Sequence, residues 1–330
     1  MEYLLLFAGL FILAHFYIQF AVRHRIVDRP NIRSSHSYKT VRGGGIIFPI
    51  SALSWFVFSG FQFPLFFTGL IVISIISFWD DLSHVSPKLR LVFQIVALSL
   101  LLMDIQLLQF SWWTWIPVLI LSVWIINVYN FMDGINGITG IYSFSVLSGI
   151  WIVNNYQEEF ISNELIYFLM ISIAVFSYFN FRTKAKCFAG DVGSISMAYI
   201  IGFLLAKLII QSGDWLYILF LGIYGVDTGM TIYQRLIQKE NIFTAHRQHL
   251  YQLMANELKI PHLKVATLFG FTQLIICLIT IVILENSKSL WSSLIAGTSI
   301  IGIMAIVYYG IRIQVIRKTK ALKPRLQNQM

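Results

Sequence analysis

Four short clusters of carboxylates, amides, histidines and glycines interrupt an otherwise apolar chain of 330 residues. The first is Asp80-Asp81. Adjacent carboxylates repel one another, and a proton or a cation relieves the repulsion. Magnesium, or manganese, would do so through oxygen ligands. Lys88 and Arg90 follow closely and are candidates to hold phosphate oxygens. A helix end with ordinary flanking charges is the alternative. The second cluster runs from Asn127 to Gly137. Asn127, Asn130 and Asp133 are spaced i, i+3, i+6, so they lie near one helical face. Asp133-Gly134 and Asn136-Gly137 then break the chain and restart it. A glycine-rich break before a helix N-terminus presents free N–H groups to an anion, although Asp-Gly and Asn-Gly are also common turn pairs.

The third cluster, Phe188 to Ser194, places Asp191 at an expected helix start with Gly190 and Gly193 beside it. Glycine permits close backbone approach to a ligand; a plain N-cap aspartate is the other reading. Phe188 could stack on a base or anchor in the interface. The fourth, His246-Arg247-Gln248-His249, offers a proton donor or a metal ligand. It has no HExxH pattern and no third His or Cys nearby, which argues against zinc. Arg247 brings a planar fork suited to phosphate. A solvated basic loop is the alternative. Asp227 could cap or pair near the end of its helix. The segment from Asp28 through Arg42-Gly-Gly-Gly45 is basic and glycine-rich and could cradle a diphosphate.

The elements that must position these clusters are membrane spans. The chain is 57% hydrophobic and 12% charged, with mean hydropathy +0.74, against roughly 25% charge in soluble domains. Apolar runs predict an all-α, polytopic membrane protein with eleven helices. They fall at about 3–22, 44–62, 63–79, 89–103, 114–130, 135–153, 164–180, 194–211, 212–228, 263–284 and 289–311. The first is read as a retained helix rather than a signal peptide. Cys187 and Cys277 give no disulfide framework.

Of the 24 Lys and Arg, 22 fall on one set of alternate loops and the C-terminal tail. By the positive-inside rule that set is cytoplasmic, the N-terminus periplasmic and the C-terminus cytoplasmic. The formal charge of +9 is thereby explained by topology and contact with membrane lipid, not by nucleic acid. The whole chain, 1–330, is expected to form one integral-membrane domain. Its cytoplasmic loops lie at about 23–43, 80–90, 131–137, 181–193 and 229–262, the last as a lid over a soluble substrate. All four clusters then face one compartment.

In this order the clusters resemble the polyprenyl-phosphate N-acetylhexosamine-1-phosphate transferase superfamily, from Asp28 to Gln252. His246-Arg-Gln-His249-Leu-Tyr-Gln252 is similar to the pattern of its O-antigen initiating branch. The resemblance implies transfer of a sugar 1-phosphate from a UDP-N-acetylamino sugar to undecaprenyl phosphate, with Mg²⁺ as cofactor and a bacterial inner-membrane location. It implies catalytic roles for Asp80, Asp81, Asp133, His246 and His249, and metal binding for Asp191. Substrate contacts are implied for Asn130, Asn180 and Phe188; Asn127, Lys88, Arg90 and Arg247 join them as candidate substrate-binding residues on their own chemistry and spacing. A homodimer is also compatible with it. One position departs from the pattern: Asn136 replaces a second aspartate, and an amide cannot act as a base. Two rivals stay open. A transporter or flippase would place polar groups near the bilayer midplane, often with repeat symmetry. A lipid diphosphate hydrolase would use water as acceptor.

Overall fold

The computed structural model describes residues 1–30, 35, 38–241, 247–286 and 289–327. Twelve α-helices are found among them, eleven of them on the expected apolar runs. They are α1 (Glu2–Arg23), α2 (Ile47–Phe58), α3 (Pro64–Leu82), α4 (Pro87–Asp104), α5 (Trp112–Met132), α6 (Ile138–Tyr156), α7 (Asn163–Asn180), α8 (Gly190–Ser212), α9 (Gly222–Ile237), the short α10 (Leu250–Gln252), α11 (His262–Asn286) and α12 (Leu290–Gln327). Eight helical stretches are long and apolar enough to cross a membrane. The protein is thus all-α and polytopic.

The helix ends follow from local chemistry. Pro64 and Pro87 open α3 and α4, where a missing N–H costs nothing. Ser86 caps α4, its Oγ accepting from Leu89 N at 3.3 Å. Gly137, at φ +85°, turns the chain into α6, and Gly190, at φ +72°, turns it into α8; glycine adopts that conformation at least cost.

α8 lies at the centre, packed against α2, α3, α5 and α6. It reaches the 3-10 turn Gly44–Ile46, which leads into α2, closely because glycines meet: a Cβ on Gly193 would stand 2.7 Å from Gly45 Cα. α1 and α12 are peripheral and present apolar side chains outward, the disposition expected in lipid.

Three features depart from the expected elements. The ninth span begins as a 3-10 stretch, Trp215–Leu221, and its helix then runs to Ile237, well into the expected loop. The far side of that loop folds as α10 followed by a π-helical turn, Leu253–Glu257. α12 continues to Gln327 rather than stopping near residue 311. A small antiparallel ladder pairs Val27 with Val41 and Asp28 with Thr40. A further bridge ties Val41 to Cys187, and Phe188 N donates to Val41 O at 2.8 Å. Residues 27–28 and 40–43 are thereby fastened over the start of α8.

Candidate active site

The site begins with the N-terminus of α8, whose first N–H groups have no partner within the helix. Asp81, at the end of α3, supplies one: Asp191 N donates to its Oδ1 at 2.9 Å and Val192 N to its Oδ2 at 3.0 Å. The approach needs Gly190, where a Cβ would stand 2.5 Å from Asp81 Oδ2. Arg42, positioned by the ladder, pairs with Asp81 Oδ1 through Nε at 2.7 Å. Its backbone carbonyl accepts from Tyr17 Oη at 2.7 Å. Asp81 is therefore fully enclosed and holds α3, α8 and the 40–45 segment together.

Asp191 points the other way, toward open space. Its Oδ1 accepts from Asn130 Nδ2 at 3.0 Å and from Arg42 Nη2 at 3.4 Å. Its Oδ2 accepts from Arg90 Nη1 at 3.2 Å. The same Arg90 nitrogen donates to Asp80 Oδ2 at 2.8 Å, and Val85 N donates to Asp80 Oδ1 at 2.7 Å. Asn130 also reaches Ser194 Oγ at 3.1 Å. α3, α4, α5 and α8 thus deliver Asp80, Arg90, Asn130 and Asp191 to one point.

Beside it opens a polar cavity of about 370 Å³, lined by Arg42, Asn130, Asp133, Asn136, Asn180, Phe188, Asp191, Gln252 and His262 among others. Asp133 caps the end of α5, and Thr139 Oγ1 donates to its Oδ1 at 2.5 Å. Burial pushes the Asp133 carboxyl up to about 6; the Thr139 bond opposes the rise, the nearby Asp191 adds to it, and Arg42 opposes it. Asn180 braces the wall: its Oδ1 accepts from Gly137 N at 2.7 Å and its Nδ2 donates to Cys187 O at 2.8 Å. Asn136 Nδ2 donates to the carbonyls of Arg182 and Thr183 at 2.8 and 3.2 Å. The side chain at the departing position is thus tied to the 181–189 loop.

Several sequence-predicted residues stand elsewhere. Asn127 Nδ2 donates to Gln94 Oε1 at 3.2 Å and to Val123 O at 2.8 Å; it links α5 to α4 and does not line the cavity. Lys88 is exposed at the start of α4, and Arg247 is half-buried beside α10; neither lines the cavity. His249 is buried, with Nδ1 3.2 Å from Asp227 Oδ1. His246 lies outside the described residues. Conversely, Arg42, Gln252 and His262 join the site without having been singled out as binding residues. Arg42 had a signal, its place before the glycine triplet. His262 had none, being a lone histidine that opens an apolar helix.

A second cavity, of about 480 Å³ and largely apolar, lies deeper on the same helices. α4 contributes Leu98 and Leu101, α5 Ser122 and Ile126, and α8 Ala198 and Gly202. These residues lie one to three turns along the same helices from Arg90, Asn130 and Asp191. At 1.5 Å rise per residue, the groove starts roughly 10 Å from the polar cluster.

Fold and site together describe a helical membrane protein whose polar chemistry is an arginine-bridged carboxylate cluster beside a polar cavity. A family profile described as glycosyl transferase family 4 matches residues 63–212. The chain is 27% identical over 256 residues to a probable undecaprenyl-phosphate N-acetylglucosaminyl 1-phosphate transferase of Bacillus subtilis (strain 168), covering 71% of each chain. It is 26% identical over 284 residues to an undecaprenyl-phosphate alpha-N-acetylglucosaminyl 1-phosphate transferase of Yersinia pestis, covering 76% of this chain and 75% of that one. A phospho-N-acetylmuramoyl-pentapeptide-transferase of Thermotoga maritima is 25% identical over 187 residues, covering 51% and 61%. The matched segment is thus similar to glycosyl transferase family 4, and the relatives that the chain resembles over about three quarters of its length are named as undecaprenyl-phosphate N-acetylglucosaminyl 1-phosphate transferases.

Proposed function

We propose that this protein transfers the sugar 1-phosphate of a UDP-N-acetylamino sugar to undecaprenyl phosphate at the cytoplasmic face of a bacterial inner membrane. UMP is released, and a lipid-diphospho-sugar starts a cell-envelope polysaccharide of the O-antigen kind. One observation carries the reading: the Asp80–Arg90–Asp191–Asn130 cluster borders a polar cavity, and an apolar groove begins about 10 Å away along α4, α5 and α8, the helices that carry Arg90, Asn130 and Asp191. A reaction between a water-soluble phosphate ester and a lipid phosphate requires such a junction. The relatives' names supply the undecaprenyl-phosphate acceptor and the N-acetylglucosaminyl 1-phosphate group; the UDP carrier is part of the proposal.

In this reading the nucleotide-sugar occupies the polar cavity, with Phe188 offered to the base. The polyprenyl chain lies along the groove of α4, α5 and α8, its phosphate at the Arg90 end. A phosphate oxygen of the lipid attacks the sugar-bearing β-phosphorus of the donor. The bond from that phosphorus to the bridging oxygen breaks, and UMP takes the electron pair. Catalysis rests on placement and charge neutralisation. Arg42 and Arg90 stand where phosphate oxygens would collect, and either can exchange a carboxylate partner for a phosphate. Asn130 orients Asp191.

The donor set fits a magnesium ion. Four carboxylates, of Asp80, Asp81, Asp133 and Asp191, face two guanidinium groups, of Arg42 and Arg90. A diphosphate would add negative charge to a site with no surplus of positive charge. Among the described residues no three His, Cys, Asp or Glu side chains form a cage. Mg²⁺ typically takes one or two carboxylates and completes its shell with water and substrate phosphates. Asp191, with Asp80 beside it, would hold the ion, which would neutralise the phosphates when bound.

Purified protein given a panel of UDP-N-acetylamino sugars tests the proposal. UMP is expected only when undecaprenyl phosphate is also present. UMP formed equally without the lipid would replace transfer by hydrolysis.

A further inference from the structure

A second polar cluster lies outside the carboxylate site, centred on Asp227 of α9. Its Oδ1 gathers four groups: Leu250 N at 3.0 Å, Tyr308 Oη at 3.1 Å, His249 Nδ1 at 3.2 Å and Thr231 Oγ1 at 3.3 Å. Arg312, one turn beyond Tyr308 on α12, donates through Nη1 to Tyr308 Oη at 3.0 Å and to Gln248 O at 2.5 Å. Asp227, His249 and Arg312 are all buried, at 1%, 3% and 4% exposure. Charged groups are seldom buried without a partner, because desolvation is expensive. Here they are spent on fastening one short piece of chain, residues 248–250, to α9 and α12.

That piece leads directly to the cavity wall. His249 is the N-cap of α10 and forms a capping box with Gln252. Gln252 lines the polar cavity. Between them, Tyr251 is fully buried, and its Oη donates to Phe131 O at 2.9 Å. Its ring lies against Gly134, where a Cβ would clash with the phenol oxygen. Phe131 and Gly134 flank Asp133. The turn therefore sets both Gln252 and the Asp133 loop. A π-helical stretch follows at Leu253–Glu257, and such irregular turns are frequent beside functional sites.

We propose that Tyr308 and Arg312 of α12 are positioning residues for the soluble donor: they hold the 248–252 turn against α9 and so complete the cavity wall without touching substrate. The proposal rests on the polar cavity being the donor site. It also makes His249 an anchor of the turn rather than a proton donor to the reaction. Two hydroxyls link Asp227 to Arg312: Tyr308 Oη, and Thr231 Oγ1, which accepts from Arg312 Nη1 at 3.4 Å; removing the Tyr308 hydroxyl deletes the shorter of the two bridges while keeping the ring.

The test uses Tyr308→Phe and Arg312→Lys in the full chain, with Tyr309→Phe, whose side chain is exposed, as the control. Amide exchange and steady-state kinetics are measured on each. In Tyr308→Phe, exchange at residues 248–253 is expected to speed up while α8 stays protected. KM for the UDP-sugar is expected to rise about threefold to tenfold, the effect of one lost hydrogen bond. KM for undecaprenyl phosphate and kcat are expected to stay within about twofold. Arg312→Lys, which keeps the charge and loses the fork, is expected to give a weaker form of the same split. Unchanged exchange at 248–253 overturns the latch whatever the substrate is. Faster exchange with an unchanged donor KM overturns its link to the cavity, and so does a fall in kcat with both KM values unchanged. A wild-type protein that turns over no UDP-sugar refutes the proposed function instead, and binding of UMP to wild type and Tyr308→Phe then decides the positioning role: equal affinities overturn it.

Discussion

Asp191 and Asp81 are neighbours with opposite duties. Asp81 spends both oxygens on the α8 N-terminus and on Arg42. Asp191 accepts only from side chains and lines the cavity. Asp191→Asn is expected to stay folded in detergent and to lose about 10²–10³-fold or more in transfer rate, the range for removing a preorganised charged group. Asp81→Asn is expected to lower the thermal midpoint as well, by several degrees, because an enclosed anchor of three segments is weakened. Thermal unfolding and rate measurement on both variants separate the roles. Equal midpoints for the two would show that Asp81 is no anchor. Asp133 supplies a pH prediction. Its carboxyl titrates near 6 rather than near the usual carboxylate value of about 4. Below that pH it is neutral and above it ionised. If the ionised form serves transfer, the rate rises with pH through about 6. Thr139→Val removes the hydrogen bond that favours ionisation, so the acid limb should move to higher pH. A limb that stays put in the variant's pH–rate profile would detach it from Asp133.

At the scale of elements, the close meeting of the Gly44–Ile46 turn, which leads into α2, with the start of α8 holds the site. Gly45 N donates to Ala189 O at 3.0 Å and Gly44 N to Phe188 O at 2.8 Å, so the glycine triplet serves as a seat for the α8 start. Gly193→Val would force the two backbones apart. It should destabilise the protein by about 1–3 kcal/mol, as overpacking typically does, and loosen Asp191 with it; an unchanged unfolding midpoint would mean that the contact is slack. How much of this was legible beforehand varied with the kind of signal. Hydropathy located the eleven long helices, because lipid-facing and core-facing positions are both apolar. It could not see the Val27–Val41 ladder, which is two residues per strand and takes its partner from across a long loop. Nor did it extend α9 to Ile237, since Thr231, Gln234 and Arg235 read as loop residues when the α12 groups that accompany them are unknown. Among the site residues, Asp80 stands out as one of two adjacent carboxylates, and Asp133 and Asp191 as carboxylates beside glycines; both patterns are rare in apolar sequence. His249 and Asn127 carried a similar polar signal and turned out to bind neighbouring helices.

For the whole molecule, the meaning of the site depends on which side of the bilayer it faces. The bias of Lys and Arg toward one set of loops predicts the cytoplasmic side. Both native cysteines are buried, and Lys184 is exposed in the loop between α7 and α8. In Lys184→Cys, an impermeant thiol reagent is expected to label inverted vesicles and not intact cells; labelling of intact cells would place the cavity outside and remove the donor from reach. The polar cavity and apolar groove, built on shared helices, make one demand of the chemistry. The phosphate next to the sugar must leave the nucleotide and stay with the lipid. A donor carrying ³²P in its β-phosphate, incubated with the purified protein and undecaprenyl phosphate, reports on this directly. The label is expected to move with the sugar into the lipid fraction, leaving unlabelled UMP. Label retained in UDP, released to water as sugar phosphate, or carried intact across a vesicle membrane would contradict sugar-1-phosphate transfer.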